Sequence, residues 1–179
     1  MTIDKLNAQQ LRKALPNKTE VKKIKRNPIY LILDEIIDTY NIGSLFRLAD
    51  ATGVKKIYLC GNMEYPPSSR IHKAAVGTEN WVSWQKVDST IQLIRKLKRQ
   101  EVQIIAVEQS PGSTDYRLLT NGLIKFPCAI IVGNETYGMS KKVLSEADVV
   151  VELPMFGINK SFNVWGSAAV VAYKVLEAL

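Results

Sequence analysis

Histidine and cysteine are scarce in this chain, with one His and two Cys among 179 residues. His72 cannot complete a His-rich metal site alone. Cys60 and Cys128 lie in apolar, strand-like runs with no second Cys or His at a metal-ligand spacing. No metal centre is therefore expected. His72 reads as a surface or structural residue and the cysteines as buried free thiols, with a disulfide left open by the sequence alone. Long apolar runs are also missing. The longest, such as residues 128 to 132 and 149 to 151, are strand-sized, and the apolar C-terminal stretch is interrupted by Asn163, Gly166, Ser167 and Lys174. These gaps exclude a transmembrane helix. The start, MTIDKLNAQQLRKAL, lacks the apolar core and cleavage pattern of a secretory signal, so a cytoplasmic location is expected. Repeats and low-complexity tracts are absent as well.

Charge is present but uneven. The net charge is +7, and residues 1 to 30 carry eight Lys or Arg against two acids, so nearly all of the excess sits in the first sixth of the chain. Lys22, Lys23, Lys25 and Arg26 form a compact basic segment ahead of the first strand, suited to sequence-independent attraction to RNA phosphates. Such a run is as often a solvated face, and composition alone does not decide between the two.

The hydropathy pattern is that of an α/β domain. Residues 3 to 15 are expected to form a helix ended by Pro16 and Asn17. Strands are expected at 29–33, 56–60, 81–87, 103–107, 128–132 and 148–153, with helices at about 42–52, 89–99 and 140–146 and from Asn163 onward. Near-continuous β-branched runs separated by helix-length segments imply a mostly parallel sheet with helices on both faces. The size fits one domain, divided into a basic N-terminal arm over residues 1–27 and a catalytic domain over 28–179. Ligands of such sheets bind at the carboxyl ends of the strands, which directs attention to the loops after Leu33, Val107, Val132 and Leu153.

Three of those loops carry polar residues that fold geometry explains only in part. In DTYNIGSLFRLADATG, Asn41 has helix capping as its bland role, but Arg47 lies in a helix that is apolar almost all round and so calls for a partner. In IIVGNETYGMS, a turn explains Gly133 and Gly138 but not Glu135, a carboxylate at the exit of an apolar strand. In ELPMFGINKSFNVWGSAAVV, Ser161 and Asn163 open the last helix, where capping is again the default.

Order and spacing make the set specific. The segments NIGSLFR (41–47), IVGNETYGMS (131–140) and LPMFGINKSFNV (153–164) resemble the three motifs of the SpoU/TrmH class of SPOUT RNA 2′-O-ribose methyltransferases. IHKAAVGTENWV (71–82) is similar to the stretch between the first two, and Phe162 departs from the leucine usual at its position. The resemblance runs from about Pro28 to the C-terminus.

That resemblance implies a sheet with a C-terminal deep trefoil knot, an S-adenosylmethionine cofactor and a homodimer. It implies methylation of a ribose 2′-hydroxyl in RNA, with transfer RNA favoured over ribosomal RNA. Carried over by position, Asn41, Arg47, Glu135, Ser161 and Asn163 are the catalytic set, and Val107, Gly133, Leu153 and Phe162 line the cofactor site. Arg47 joins Lys22, Lys23, Lys25 and Arg26 in binding RNA. Asn41, Glu135 and Asn163 are expected to hold Arg47 and the ribose in place. Two rival classes are weaker. A dinucleotide-dependent oxidoreductase lacks the G-x-G-x-x-G turn after any strand, and a catalytically silent RNA-binding module gives no reason for three matching polar loops.

Overall fold

The computed structural model describes residues 7, 16–120 and 122–179. The helix expected over residues 3 to 15 falls, apart from Asn7, outside them. Asn17 opens a short helix, α1 (Lys18–Lys23), through a capping box. Its side chain accepts from the Thr19 and Glu20 N–H groups, and Glu20 accepts from the Asn17 N–H at 2.9 Å. The domain continues with β1 (Asn27–Asp34), α2 (Thr39–Ala51), β2 (Val54–Cys60), α3 (Ser69–Ala75) and β3 (Trp84–Val87). Then follow α4 (Thr90–Lys98), β4 (Gln103–Val107), β5 (Thr114–Asp115), β6 (Cys128–Val132), α5 (Lys141–Leu144), β7 (Val149–Glu152) and α6 (Val164–Leu176).

The seven strands pair in the order β3-β2-β1-β6-β4-β7-β5, every pairing parallel. Central strands read as unbroken apolar runs because both faces are covered. Ile29, Leu31 and Leu33 of β1 pack with Leu45 and Phe46 of α2 and Ala168 and Val171 of α6, while Ile32 packs with Leu93, Ile94 and Leu97 of α4. Each such burial contributes roughly 1.5–3 kcal/mol. Cys60 and Cys128 are free and fully buried, and burial pushes both thiols up to about 12. Among the described residues no helix is long and apolar enough to cross a membrane.

Three local expectations change. The strand expected over 81–87 shortens to β3, because residues 78–80 form a 3₁₀ turn. Neither α3 nor the two-residue β5 was anticipated. α3 begins just after Pro66 and Pro67, capped by Ser68, and packs so tightly on α2 that a Cβ on Gly43 would lie 2.6 Å from the Ala74 Cβ and 2.7 Å from the Ala75 N.

The chain leaves β1 through α2 towards β2 on one side, and leaves β6 through α5 towards β7 on the other. Since β1 and β6 are neighbours, their diverging connections open a crevice above the paired ends Leu33 and Val132.

Candidate active site

A cleft of about 680 Å³ occupies that crevice. Asn41, Glu135, Ser161 and Asn163 line it together with Val107, Gly133, Leu153 and Phe162. Eight of the nine residues expected to form the catalytic and cofactor sites thus converge, from loops after four different strands. The ninth is Arg47.

Asp38, not Asn41, caps α2, accepting from the Tyr40 N–H at 2.8 Å. Asn41 is therefore free of the capping role that was its bland explanation. It is buried, 3% exposed, and bridges two other loops. Its Nδ2 donates to Glu135 Oε1 at 2.9 Å, and its Oδ1 accepts from Asn163 Nδ2 at 3.1 Å. Asn163 does cap its helix, its Oδ1 accepting from the Trp165 N–H at 3.0 Å, so one side chain both starts α6 and ties it to α2.

Glu135 is pinned further by the N–H groups of Ile37, at 2.9 Å to Oε2, and Asp38, at 3.0 Å to Oε1. Partial burial pushes its carboxyl up, but donation from Ile37, Asn41, Asp38 and its own N–H outweighs this and holds the group below the ordinary carboxylate value. Glu135 stays ionised at neutral pH. Asn134 completes the junction, its amide donating to the Glu35 carbonyl at 2.9 Å while its oxygen accepts from the Thr136 and Tyr137 N–H groups. Ser161 is exposed and lines the cleft, and its hydroxyl donates to Asn159 Oδ1 at 3.0 Å, so its oxygen keeps its capacity to accept.

Gly133, which lines the cleft, also accommodates a neighbour within the protein. A Cβ there would lie 2.8 Å from the Met139 N and 2.6 Å from its Cγ, so the glycine lets the loop fold back on itself before any ligand is considered. Gly166 plays a comparable part for Phe162, whose ring lies over it with Cε1 2.8 Å from where a Cβ would stand. The Phe162 ring is 56% exposed and forms one wall of the cleft.

Two of the expected cationic contacts need correction. Arg47 is exposed, lies outside the cleft lining and has no hydrogen-bond or ion-pair partner among the described residues. The Asn163–Asn41–Glu135 relay is self-contained and does not hold it. Helical geometry explains this: six residues after Asn41, at 100° each, Arg47 projects from a different side of α2. Arg26 is also withdrawn from the basic face. Its Nη2 donates to the Trp81 carbonyl at 3.3 Å and its Nη1 is buried. Lys22, Lys23 and Lys25 remain exposed. His72 is structural, its Nδ1 in contact with Glu79, as its lone occurrence implied.

The sequence reading found Glu135 but missed the other three acids of the cleft, Asp38, Glu108 and Glu152. Glu108 accepts from the Met139 N–H at 2.9 Å and the Gln109 N–H at 3.1 Å, so it clasps the β6 turn from the end of β4. Glu152 closes β7. With Asp38 and Glu135 they place four carboxylates in the lining against one ammonium, that of Lys160. The signal was available, since Glu108 follows an apolar strand just as Glu135 does. A negative cleft in a chain of net charge +7 favours a cationic ligand and disfavours a pyrophosphate.

Residues 28–173 match the SpoU rRNA Methylase family. The chain is 27% identical, over 92% of its length and 76% of the relative's, to the tRNA (guanosine(18)-2′-O)-methyltransferase of Aquifex aeolicus. It is 31% identical to the 23S rRNA (guanosine-2′-O-)-methyltransferase RlmB of Neisseria meningitidis, over 84% of this chain and 59% of that one. Among solved structures it superposes on an A. aeolicus TrmH/SpoU tRNA modifying enzyme with a TM-score of 0.78 at 25% identity, covering 90% of this chain and 83% of that one. It superposes equally well, with a TM-score of 0.78 and 25% identity, on an AdoMet-bound rRNA methyltransferase from Sinorhizobium meliloti, covering 87% and 58%. The chain spans a little over half the length of the first relatives it matches, 57% and 58%. The match over most of the domain, joined to the shared fold, establishes that this chain belongs to the SpoU rRNA Methylase family.

Proposed function

We propose that this protein transfers a methyl group from S-adenosylmethionine to a ribose 2′-hydroxyl of RNA. The observation that carries this reading is the Asn163–Asn41–Glu135 relay, which fixes three loops around a cleft whose charge and walls suit that cofactor. S-adenosylmethionine carries a sulfonium and an ammonium, and four carboxylates line the cleft beside apolar Val107, Leu153 and Phe162. The bound cofactor supplies an activated methyl whose transfer to oxygen needs no metal.

The residues present then have to align the hydroxyl and ease loss of its proton. Asn41 and Glu135 spend their hydrogen-bonding capacity mainly on each other and on the Ile37 and Asp38 N–H groups, so their part is to hold geometry. Ser161, which lines the cleft and keeps its capacity to accept, is placed to take a hydrogen bond from the ribose. On methyl transfer the hydroxyl proton would pass to solvent or to a neighbouring phosphate oxygen. Arg47 is a cation without a partner among the described residues, and its proposed part is to neutralise that phosphate and the developing charge on oxygen.

Arg47 lies outside its own cleft, and a homodimer gives it a place. Ile37, Tyr40, Trp165 and Tyr173 are 61, 59, 38 and 54% exposed, a large apolar surface on α2, its preceding loop and α6 for a monomer to leave in water. A second copy covering that surface would bring Arg47 beside the interface. Trefoil threading of the C-terminal strands belongs to the same reading and is supported by β6 lying between β1 and β4.

Transfer RNA is the favoured substrate, working in the cytoplasm. The transfer-RNA relative is matched over 92% of this chain and the ribosomal-RNA relative over 84%, so the match to the former is the more extensive. Calorimetric titration tests the cofactor. S-adenosylmethionine should bind and a nicotinamide dinucleotide should not, and the reverse outcome would return the fold to an oxidoreductase. Comparison of 2′-O-methyl sites in cells with and without the gene tests the substrate.

A further inference from the structure

On the sheet face that α4 covers, two tyrosines stand side by side under lysine ammonium groups. Tyr30 of β1 and Tyr58 of β2 have ring centroids 6.0 Å apart. Lys55 Nζ lies 5.6 Å from the centroid of Tyr30, and Lys56 Nζ lies 5.7 Å from that of Tyr58. Adjacent residues of a strand normally point to opposite faces, but the β1–β2 register shifts between Asn27 and Tyr30, which lets both lysines reach the tyrosine side. Helix α4 packs on the same face against Ile32 and Cys60, two positions further along each strand, while Tyr30 and Tyr58 stay only half-buried. Gln85, paired with Tyr58, is exposed. The basic arm runs alongside, since a Cβ on Gly53 would lie 3.4 Å from the Lys25 carbonyl oxygen.

We infer that Tyr30, Lys55, Lys56 and Tyr58 form a second RNA-docking surface that takes unpaired nucleotides away from the methylated one. The surface offers ammonium groups for phosphates and aromatic faces for bases. In the free protein the lysines cap the rings. RNA exchanges those caps, each ammonium moving to a phosphate while a base stacks on the ring it leaves. From Tyr30 to the end of β1 at Asp34 is four residues, about 13 Å of strand, a span that a folded RNA readily exceeds. The choice of RNA over other partners rests on charge complementarity with Lys55 and Lys56, on Lys25 reaching the turn before β2, and on the substrate class proposed above.

The test is binding of the full chain to oligouridylate and to duplex RNA across a salt series. The Lys55→Gln/Lys56→Gln variant should lose about tenfold or more in oligouridylate affinity, and its log–log salt slope should fall by roughly 1.4, about 0.7 per phosphate contact on a single strand. Tyr58→Leu keeps the charge. It should lose roughly fivefold or more on oligouridylate, with the slope unchanged and duplex binding little affected. S-adenosylmethionine affinity, read by calorimetry, should stay at the wild-type value in both. Wild-type affinity and slope in both variants would overturn the inference, as would lost binding to phosphatidylglycerol vesicles with RNA binding intact. A wild-type chain that binds oligouridylate here but neither binds S-adenosylmethionine nor transfers methyl would keep this surface and lose the function proposed above.

Discussion

Asn163 donates to Asn41 at 3.1 Å across 122 residues of chain, and through Asn41 it reaches Glu135. Three loops from distant parts of the sequence are thereby fixed by one buried amide. Asn41→Ala leaves Glu135 short of a donor and Asn163 short of an acceptor. It should lower methyl transfer about 10²-fold or more and cost about 1–3 kcal/mol of stability, a drop of several degrees in Tm. Because the residues form one network, Asn41→Ala and Asn163→Ala should not add. A double-mutant cycle by urea denaturation should give about 0.5–3 kcal/mol of coupling, and strict additivity would dissolve the relay.

Glu135 ties the network to pH. Its folded carboxyl is held below the ordinary value of 4.5, so its contribution to stability is fully present above that value and is lost as pH falls through the lower, folded one. Asp34 has the opposite sign, since burial raises its carboxyl. Comparing wild type with Glu135→Gln cancels that background. The wild-type advantage in urea midpoint should shrink as pH drops below 4.5, and an advantage that stays constant into acid would show that the hydrogen bonds do not favour the ionised form.

Much of this organisation was legible in the residues. Unbroken runs such as Cys128 to Val132 announce strands buried on both faces, Glu135 stood out because the apolar strand before it gave it no local task, and Asn41 and Asn163, both readable as helix caps, stood out through the motif resemblance. What escaped depended on contacts distant in sequence. α3 has seven residues and holds its place by packing against Gly43, which no local pattern reveals. The cap of α2 was misplaced because Asp38 and Asn41 are both competent caps only three residues apart. Arg47 was assigned a partner from the apolar character of its neighbours, yet its own azimuth on the helix faces solvent.

Gly133 in the cleft and Gly166 beneath the Phe162 ring should behave differently. Gly133→Ala drives a Cβ into the Met139 backbone, so thermal stability and cofactor affinity should fall together, the former by about 1–3 kcal/mol. Gly166→Ala meets only the Phe162 ring, which is 56% exposed and can swing aside. Its Tm should change little while its KM for S-adenosylmethionine rises. Calorimetry and melting curves on the two proteins separate these outcomes.

Arg47 has no hydrogen-bond or ion-pair partner among the described residues. Arg47→Ala should therefore remain within ~0.5 kcal/mol of wild-type stability and bind S-adenosylmethionine normally, yet lose most single-turnover methyl transfer at saturating RNA and cofactor. Arg47→Lys should restore little, because a flexible point charge does not reproduce a planar, two-pronged contact. Near wild-type turnover by Arg47→Ala would leave Ser161, the hydroxyl open to the cleft, as the group to examine.

The reaction itself can be read from where the methyl group goes. Wild-type protein is incubated with S-adenosylmethionine labelled in its methyl and with unmodified transfer RNA, and the RNA is then hydrolysed in alkali. Alkaline cleavage needs a free 2′-hydroxyl, so a 2′-O-methylated nucleotide survives in a dinucleotide. The expected result is label confined to alkali-resistant dinucleotides, and its absence from Asn41→Ala and Arg47→Ala reactions. Label released as mononucleotides would mean methylation of a base, and no label in transfer or ribosomal RNA, despite cofactor binding, would contradict the proposed activity.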